Sequence, residues 1–240
     1  MTRFVSSTHF YVEADPSSIV LSVRDVALRR VWTATKRARF LPRGVCKAVN
    51  WAARASRPMI VASDRFVATP LEKGQTYQRM LDVWTHREDL SASETYRNIW
   101  NTLTRTGRYQ HKRYEITDPA EIPKLIATCY LDLLESMSRD GYCADRTSEF
   151  ATGGLGRAIV WQDGSLVHEN GATHRLAAAK IVGLRHGFPF RIVGVHEDWL
   201  RVNGVGQRPK DGAVRWAVGL SKSVLCMDPN AVEDDVMAVQ

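Results

Sequence analysis

Negative charge is missing from one long stretch of this sequence. Nothing acidic lies between Asp25 and Asp64, while Arg29, Arg30, Lys36, Arg37, Arg39, Arg43, Lys47, Arg54 and Arg57 all fall there. A single-sign field of this kind favours polyanions: nucleic acid, anionic lipid headgroups or phosphorylated ligands. It also fits a solvated helical face set against acidic groups elsewhere, such as Glu233, Asp234 and Asp235. Cysteine is scarce: Cys46, Cys129, Cys143 and Cys226 are far apart, with no Cys-x-x-Cys pair and no histidine spacing that fits zinc. Free thiols in a reducing compartment are expected. No run reaches the roughly 18 to 20 apolar residues of a membrane span, and the amino terminus lacks a secretory pattern, so the expected location is the cytoplasm. What is present, 44% hydrophobic and 25% charged residues over 240 positions with a net charge of +7, is the composition of one large or two small folded domains.

Local patterns divide the chain into a basic region at 1–75, a central domain at 76–200 and an extension at 201–240. "SIVLSV" reads as a strand. "DVALRRVWTATKRARFL" from Asp25 places Leu28, Val31 and Trp32 at helical spacing against a basic face, and Pro42 and Gly44 end the run. "RPMIVASDRFVATP" predicts one or two short strands around the turn at Ser63 and Asp64, and its bounding Pro58 and Pro70 mark the boundary. "SASETYRNIWNTLTRTG" carries a capping box of Ser91 with Glu94 before a helix that stops at Gly107. A second helix is capped by Asp118 and closed by Gly141. Its apolar face is Ile122, Leu125, Ile126, Cys129, Tyr130, Leu133, Leu134 and Met137, which assigns Cys129 to the core. "GRAIVWQDGSLVHENG" predicts a hairpin turning at Asp163 and Gly164, followed by a helix from Thr173 and a buried strand over "FRIVGV". The fold class expected is therefore α+β, a small mixed sheet with flanking helices and a basic helical amino-terminal extension.

The chemistry-bearing stretch is "HENGATHRLAAAKIVGL", residues 168 to 184. Gly171 can adopt the positive φ of a sharp strand-to-helix turn, and Ala172 lets a ligand approach the backbone. The helix mouth presents unpaired N–H groups to an anion. His174 and Arg175 add positive charge at an end that already favours negative partners. Arg175 could instead pair with Glu169 or Asp163, and His174 could merely cap the hairpin. Glu169 and Asn170 could bind Mg²⁺ or a substrate hydroxyl, although carboxylates at strand ends are more often solvated. His168 alternates with Val167 and so faces the opposite side, which argues against a ligand role.

These residues carry a resemblance. "GATHRLAAAKIVGL" resembles the Gly-Glu-Arg-Arg helix of ParB-like proteins, and still more the Gly-Gly-Cys-His-Arg turn of sulfiredoxins and the Gly-His-His-Arg turn of free serine kinases. The order of helix, hairpin, motif, helix and strand over about residues 119–196 is similar too. The resemblance implies a ParB/sulfiredoxin-like core in which Gly171, His174 and Arg175 bind the phosphates of ATP or CTP with Mg²⁺. Ala172 stands where the ParB pattern has glycine. Thr173 stands at the sulfiredoxin cysteine, which excludes sulfinic-acid chemistry, and equally at the ParB glutamate, which removes the residue tied to CTP turnover. Partition of DNA is not implied, because the roughly 45 residues that follow are too few for the usual helix-turn-helix domain.

The function expected is nucleotide binding at Gly171, Ala172, Thr173, His174 and Arg175, with phosphoryl transfer to a small molecule or hydrolysis of the nucleotide. Catalytic candidates are Glu169, Asp140 and Thr173; Glu135, Asp145 and Glu149 are further carboxylates near the preceding helix end. The alternative is a ParB-like nucleic-acid-binding or nuclease module using Lys36, Arg37, Arg39, Arg108, Lys112 and Arg113 along a phosphate backbone. In that alternative, Tyr109 and Tyr114 of "GRYQHKRYE" could stack bases; the same stretch is otherwise an exposed basic loop. A third possibility is a non-catalytic protein whose basic helix lies on an anionic membrane surface.

Overall fold

A computed structural model of the protein describes residues 11–38, 40–55, 60–111, 114–143 and 155–203. Arg39, Arg57, Pro58, Lys112, Arg113, Asp145, Glu149, Cys226 and the Glu233 to Asp235 cluster lie outside the described residues. The fold is mixed α+β. β1 (Tyr11–Ala14) and β2 (Leu21–Asp25) lead into α1 (Val26–Arg37) and α2 (Arg43–Ala55). β3 (Ile60–Val61) and β4 (Phe66–Pro70) follow, with a single 3-10 turn over Ser63–Arg65 between them. Next come α3 (Gln75–Thr85), α4 (Glu94–Thr106) and the short hairpin of β5 (Tyr109–His111) and β6 (Tyr114–Ile116). α5 (Ile122–Ile126) runs through one π-helical turn, Ala127–Leu131, into α6 (Asp132–Asp140). The hairpin of β7 (Gly156–Val160) and β8 (Leu166–Asn170), then α7 (Thr173–Ile181), β9 (Phe188–His196) and α8 (Glu197–Val202), complete the described order.

One seven-stranded mixed sheet organises the chain in the order β1, β9, β7, β8, β2, β4, with β3 taking the same edge of β9 as β1. Strands from residues 11–70 and from 156–196 lie side by side in it, so the compositional boundary near residue 75 does not divide the sheet. β2 runs parallel to β8, with Ser22 beside His168. Side chains alternate across a strand, and the two faces accordingly build two cores. Ala158, Val160, Leu166, Phe188, Phe190 and Ile192 pack under helices α3 to α7, while Val23, Val61, Phe66, Ile159 and Val167 cluster on the other face.

Three local expectations change. The cap of α4 is Ser93, whose hydroxyl accepts from the Tyr96 amide at 3.0 Å, whereas Ser91 belongs to the preceding turn capped by Asp89. The π-helical turn inserts extra backbone into the helix that ends at Gly141, so Leu131 is buried while Cys129 and Leu133 are only half-buried. Around "GRYQHKRYE", Tyr109–His111 pairs antiparallel with Tyr114–Ile116, and Tyr109 and Tyr114 are half-buried against the main core.

Candidate nucleotide site

α7 begins abruptly because the two residues before it take left-handed backbone. Gly171 has φ +78°, and a Cβ there would stand 2.9 Å from the Leu155 carbonyl oxygen, so glycine is required by both conformation and space. Ala172 follows at φ +46°, a conformation that costs an L-residue about 1–2 kcal/mol. This is backbone strain at a helix mouth, and it leaves Ala172 as an N-cap with no side-chain hydrogen bond to the first-turn amides. The far end of α7 is pinned. Lys180 Nζ donates to the Ser17 and Ile19 carbonyls at 3.2 and 2.9 Å and approaches Glu72 at 3.6 Å. That end of α7 is therefore held against the turn before β2.

At the mouth of α7 lies a cavity of about 420 Å³, within the range of small-molecule sites. β2 contributes Ser22, Arg24 and Asp25; α1 contributes Leu28, Arg29 and Trp32; α2 contributes Asn50. Arg157, His168, Glu169, Asn170 and Thr173 come from β7, β8 and the start of α7. Arg24, Arg29 and Arg157 give the cavity its positive charge. Its two carboxylates are engaged: Glu169 faces Arg157 at 3.2 Å with its side chain 7% exposed, and Asp25 accepts from Arg65 Nε at 2.9 Å and from the Leu28 amide at 3.0 Å.

His168 belongs to this cavity, contrary to the sequence expectation. It alternates with Val167 and still lines the cavity, which takes consecutive residues from the end of β8: His168, Glu169 and Asn170. Its ring is 2% exposed, and Nε2 lies 2.8 Å from the Gly171 carbonyl oxygen. A carbonyl only accepts, so Nε2 carries the proton, and Nδ1 is left without a hydrogen-bond partner among the described residues. Burial lowers its pKa from 6.5, against opposing contributions from the Gly171 carbonyl and Glu169, and so keeps the ring neutral at neutral pH. The signal missed in the sequence was the parallel pairing of β2 with β8.

The motif residues divide. Thr173 and Glu169 line the cavity, with Gly171 and Ala172 shaping its turn. Arg175 goes elsewhere: it is 5% exposed, donates from Nη1 to the Tyr142 hydroxyl at 3.2 Å and lies 5.9 Å from that ring. Its other terminal nitrogen has no partner among the described residues, and it borders a small cavity with Met137, Gly141 and Cys143. The alternative pairing of Arg175 with Glu169 or Asp163 does not form among the described residues; Arg157 faces Glu169. His174 stacks on Tyr130 with ring centroids 6.3 Å apart. Asp140 sits at the end of α6 paired with Arg139 at 3.1 Å and does not line the cavity.

The basic candidates are dispersed as well. Lys36 lies over the Trp32 ring at 5.0 Å and Arg37 is exposed at the end of α1. Arg108 stands near Glu115 at 3.9 Å in the β5–β6 hairpin, a separate element. No group of three or more His, Cys, Asp or Glu side chains among the described residues could hold a metal ion. Asp25 and Glu169 could bind Mg²⁺ only by giving up arginine partners, so these residues do not fit a metal held by the protein itself. No helix among the described residues is long and apolar enough to cross a membrane. Compared with protein-family models, with curated proteins and with solved structures, the chain matches none.

Proposed function

We propose that the protein binds a nucleoside triphosphate in the cavity at the mouth of α7 and transfers or hydrolyses its terminal phosphoryl group. The observation that carries this reading is the uncapped start of α7 facing a cavity with three arginines, Arg24, Arg29 and Arg157. Backbone amides and the helix field attract a phosphate there, and guanidinium groups supply the directed donors that phosphate oxygens accept. Trp32 offers an aromatic surface for a base. The resemblance of residues 171–184 to the ParB and sulfiredoxin turn supports the same ligand class. In this reading Arg175 serves the fold, and the arginines of the cavity take the role that the resemblance gives to it.

Catalysis follows from an exchange of partners. A triphosphate carries more charge than a carboxylate and draws Arg157 away from Glu169. With Arg157 on the phosphates, Glu169 accepts the proton of an attacking water or acceptor hydroxyl as its oxygen bonds to the terminal phosphorus and the bond to the departing diphosphate breaks. Calorimetric titration with ATP, CTP and GTP checks the binding, which is expected below millimolar concentration. Arg157→Ala should weaken it by about tenfold or more, equivalent to ~1.4 kcal/mol. Glu169→Gln should retain binding and lose phosphate release. Absence of binding to the wild-type protein at millimolar nucleotide would overturn the proposal.

A further inference from the structure

The α1–α2 pair carries a second feature that the nucleotide cavity does not use. An ordinary surface helix turns its apolar side toward the protein. α2 does the reverse. Cys46 and Asn50 face α1, where Cys46 Sγ approaches the Thr35 carbonyl at 3.6 Å and Asn50 Nδ2 donates to Thr35 Oγ1 at 2.9 Å. Val45, Ala48, Val49 and Ala52, one stripe at helical spacing, are all exposed. Phe40 before the helix and Trp51 within it are 86% and 72% exposed. Arg43 and Lys47 lie on the side opposite the stripe by helical position, and Lys36 and Arg37 close α1.

Charge selects among the occupants of such a face. A second copy would set one basic field against another, with no acidic residue between positions 25 and 64 to offset it. Nucleic acid would satisfy the lysines and arginines, but not the valine stripe or Phe40. An anionic bilayer surface satisfies both at once, since aliphatic and aromatic side chains enter the acyl boundary while basic groups reach the headgroup phosphates. Tryptophan is at home at that depth.

We propose that the α1–α2 hairpin docks on anionic lipid bilayers, with α2 lying in the interface through the Val45, Ala48, Val49 and Ala52 stripe, Trp51 at the margin of that stripe beside Ala48, and Phe40 just before the helix. This does not depend on nucleotide binding, and either property can fail alone. The test is sedimentation of the full chain with vesicles of equimolar phosphatidylglycerol and phosphatidylcholine, against phosphatidylcholine alone. About tenfold tighter binding to the anionic vesicles is expected, weakening as salt rises. Brominated acyl chains should quench tryptophan emission in the wild type, and quench it less in Trp51→Tyr. Val45→Glu with Val49→Glu, both at exposed positions and checked for an unchanged circular dichroism spectrum, should weaken binding by at least about tenfold. Equal binding to neutral vesicles, no binding, or binding indifferent to the double glutamate change would overturn the proposal. So would duplex DNA displacing the vesicles from unquenched protein, or a lipid-free dimer that buries the same valines.

Discussion

At the start of α4 the amides of Glu94 and Thr95 donate to Asp82 of α3 at 3.0 and 2.8 Å, the Thr95 hydroxyl adds a third bond at 2.6 Å, and Ser93 caps Tyr96. At the start of α7, among the described residues, no side chain caps the first turn and its residues include no carboxylate. Both helix ends have the same surplus of amide donors and the same positive field. At α4 the chain supplies its own anion from a neighbouring helix. At α7 it supplies arginines around an open cavity. The chain thus neutralises the α4 end from within and leaves the α7 end uncapped and strained at Ala172, and the proposed anion site rests on that difference.

Breaking the filled end should have the largest effect. Asp82→Ala removes three hydrogen bonds from a carboxylate whose side chain is 18% exposed, and should cost about 2–3 kcal/mol in urea unfolding, with nucleotide affinity unchanged. A loss within experimental error would show that α4 does not need this anion. Filling the open end is the converse change. Thr173→Asp adds a carboxylate to the first turn of α7 and should raise stability by about 0.5 kcal/mol through the helix dipole. The same carboxylate occupies the phosphate position, so nucleotide affinity should fall about tenfold or more by calorimetry. Unchanged affinity would remove the mouth of α7 from the binding site.

The contrast also marks where sequence reasoning runs out. The hairpin at Asp163 and Gly164, the turn at Gly171 and the start of α7 at Thr173 are local events, governed by left-handed backbone and strand periodicity, and the sequence announces them. Arg175 is near Thr173 in sequence yet does not line the same cavity. Residues two apart on a helix point to opposite sides, so one phosphate cradle could not use both side chains. The residues that complete the cavity are distant in the chain: Arg24 and Arg29 reach it only because β2 aligns with β8, and no pattern near residue 168 encodes that pairing. Asp82 illustrates the same limit at α4, twelve residues from the amide of Glu94 that it receives. The capping box at Ser91 failed for a smaller reason, since "SAS" offers two serines and only packing decides which one caps.

The smallest effect separates the two helix ends by pH. Burial disfavours the charged form of His168 and lowers its folded pKa below the unfolded 6.5, so the unfolded chain binds the proton more readily. The stability that His168 contributes is therefore complete above pH 6.5 and is lost as pH falls through the lower folded value. For Asp82, burial raises the pKa, but the Thr95 and Glu94 hydrogen bonds outweigh it and hold the carboxyl below 3.8. Its contribution persists down to pH 3.8 and fades only in stronger acid. Melting temperature followed from about pH 7.5 to 5.5 should fall less in His168→Gln than in the wild type. Over the same range, protection against amide exchange, taken relative to the intrinsic rate at each pH, should fall at Leu176, whose amide bonds to the Ala172 carbonyl at 2.9 Å, and hold at Thr95. The carbonyl of Gly171 links the two observations, because a protonated His168 needs a second acceptor that the closed turn does not provide. Acid should thus loosen the open mouth while the filled one holds, and an equal change in protection at both ends would place the pH response outside His168.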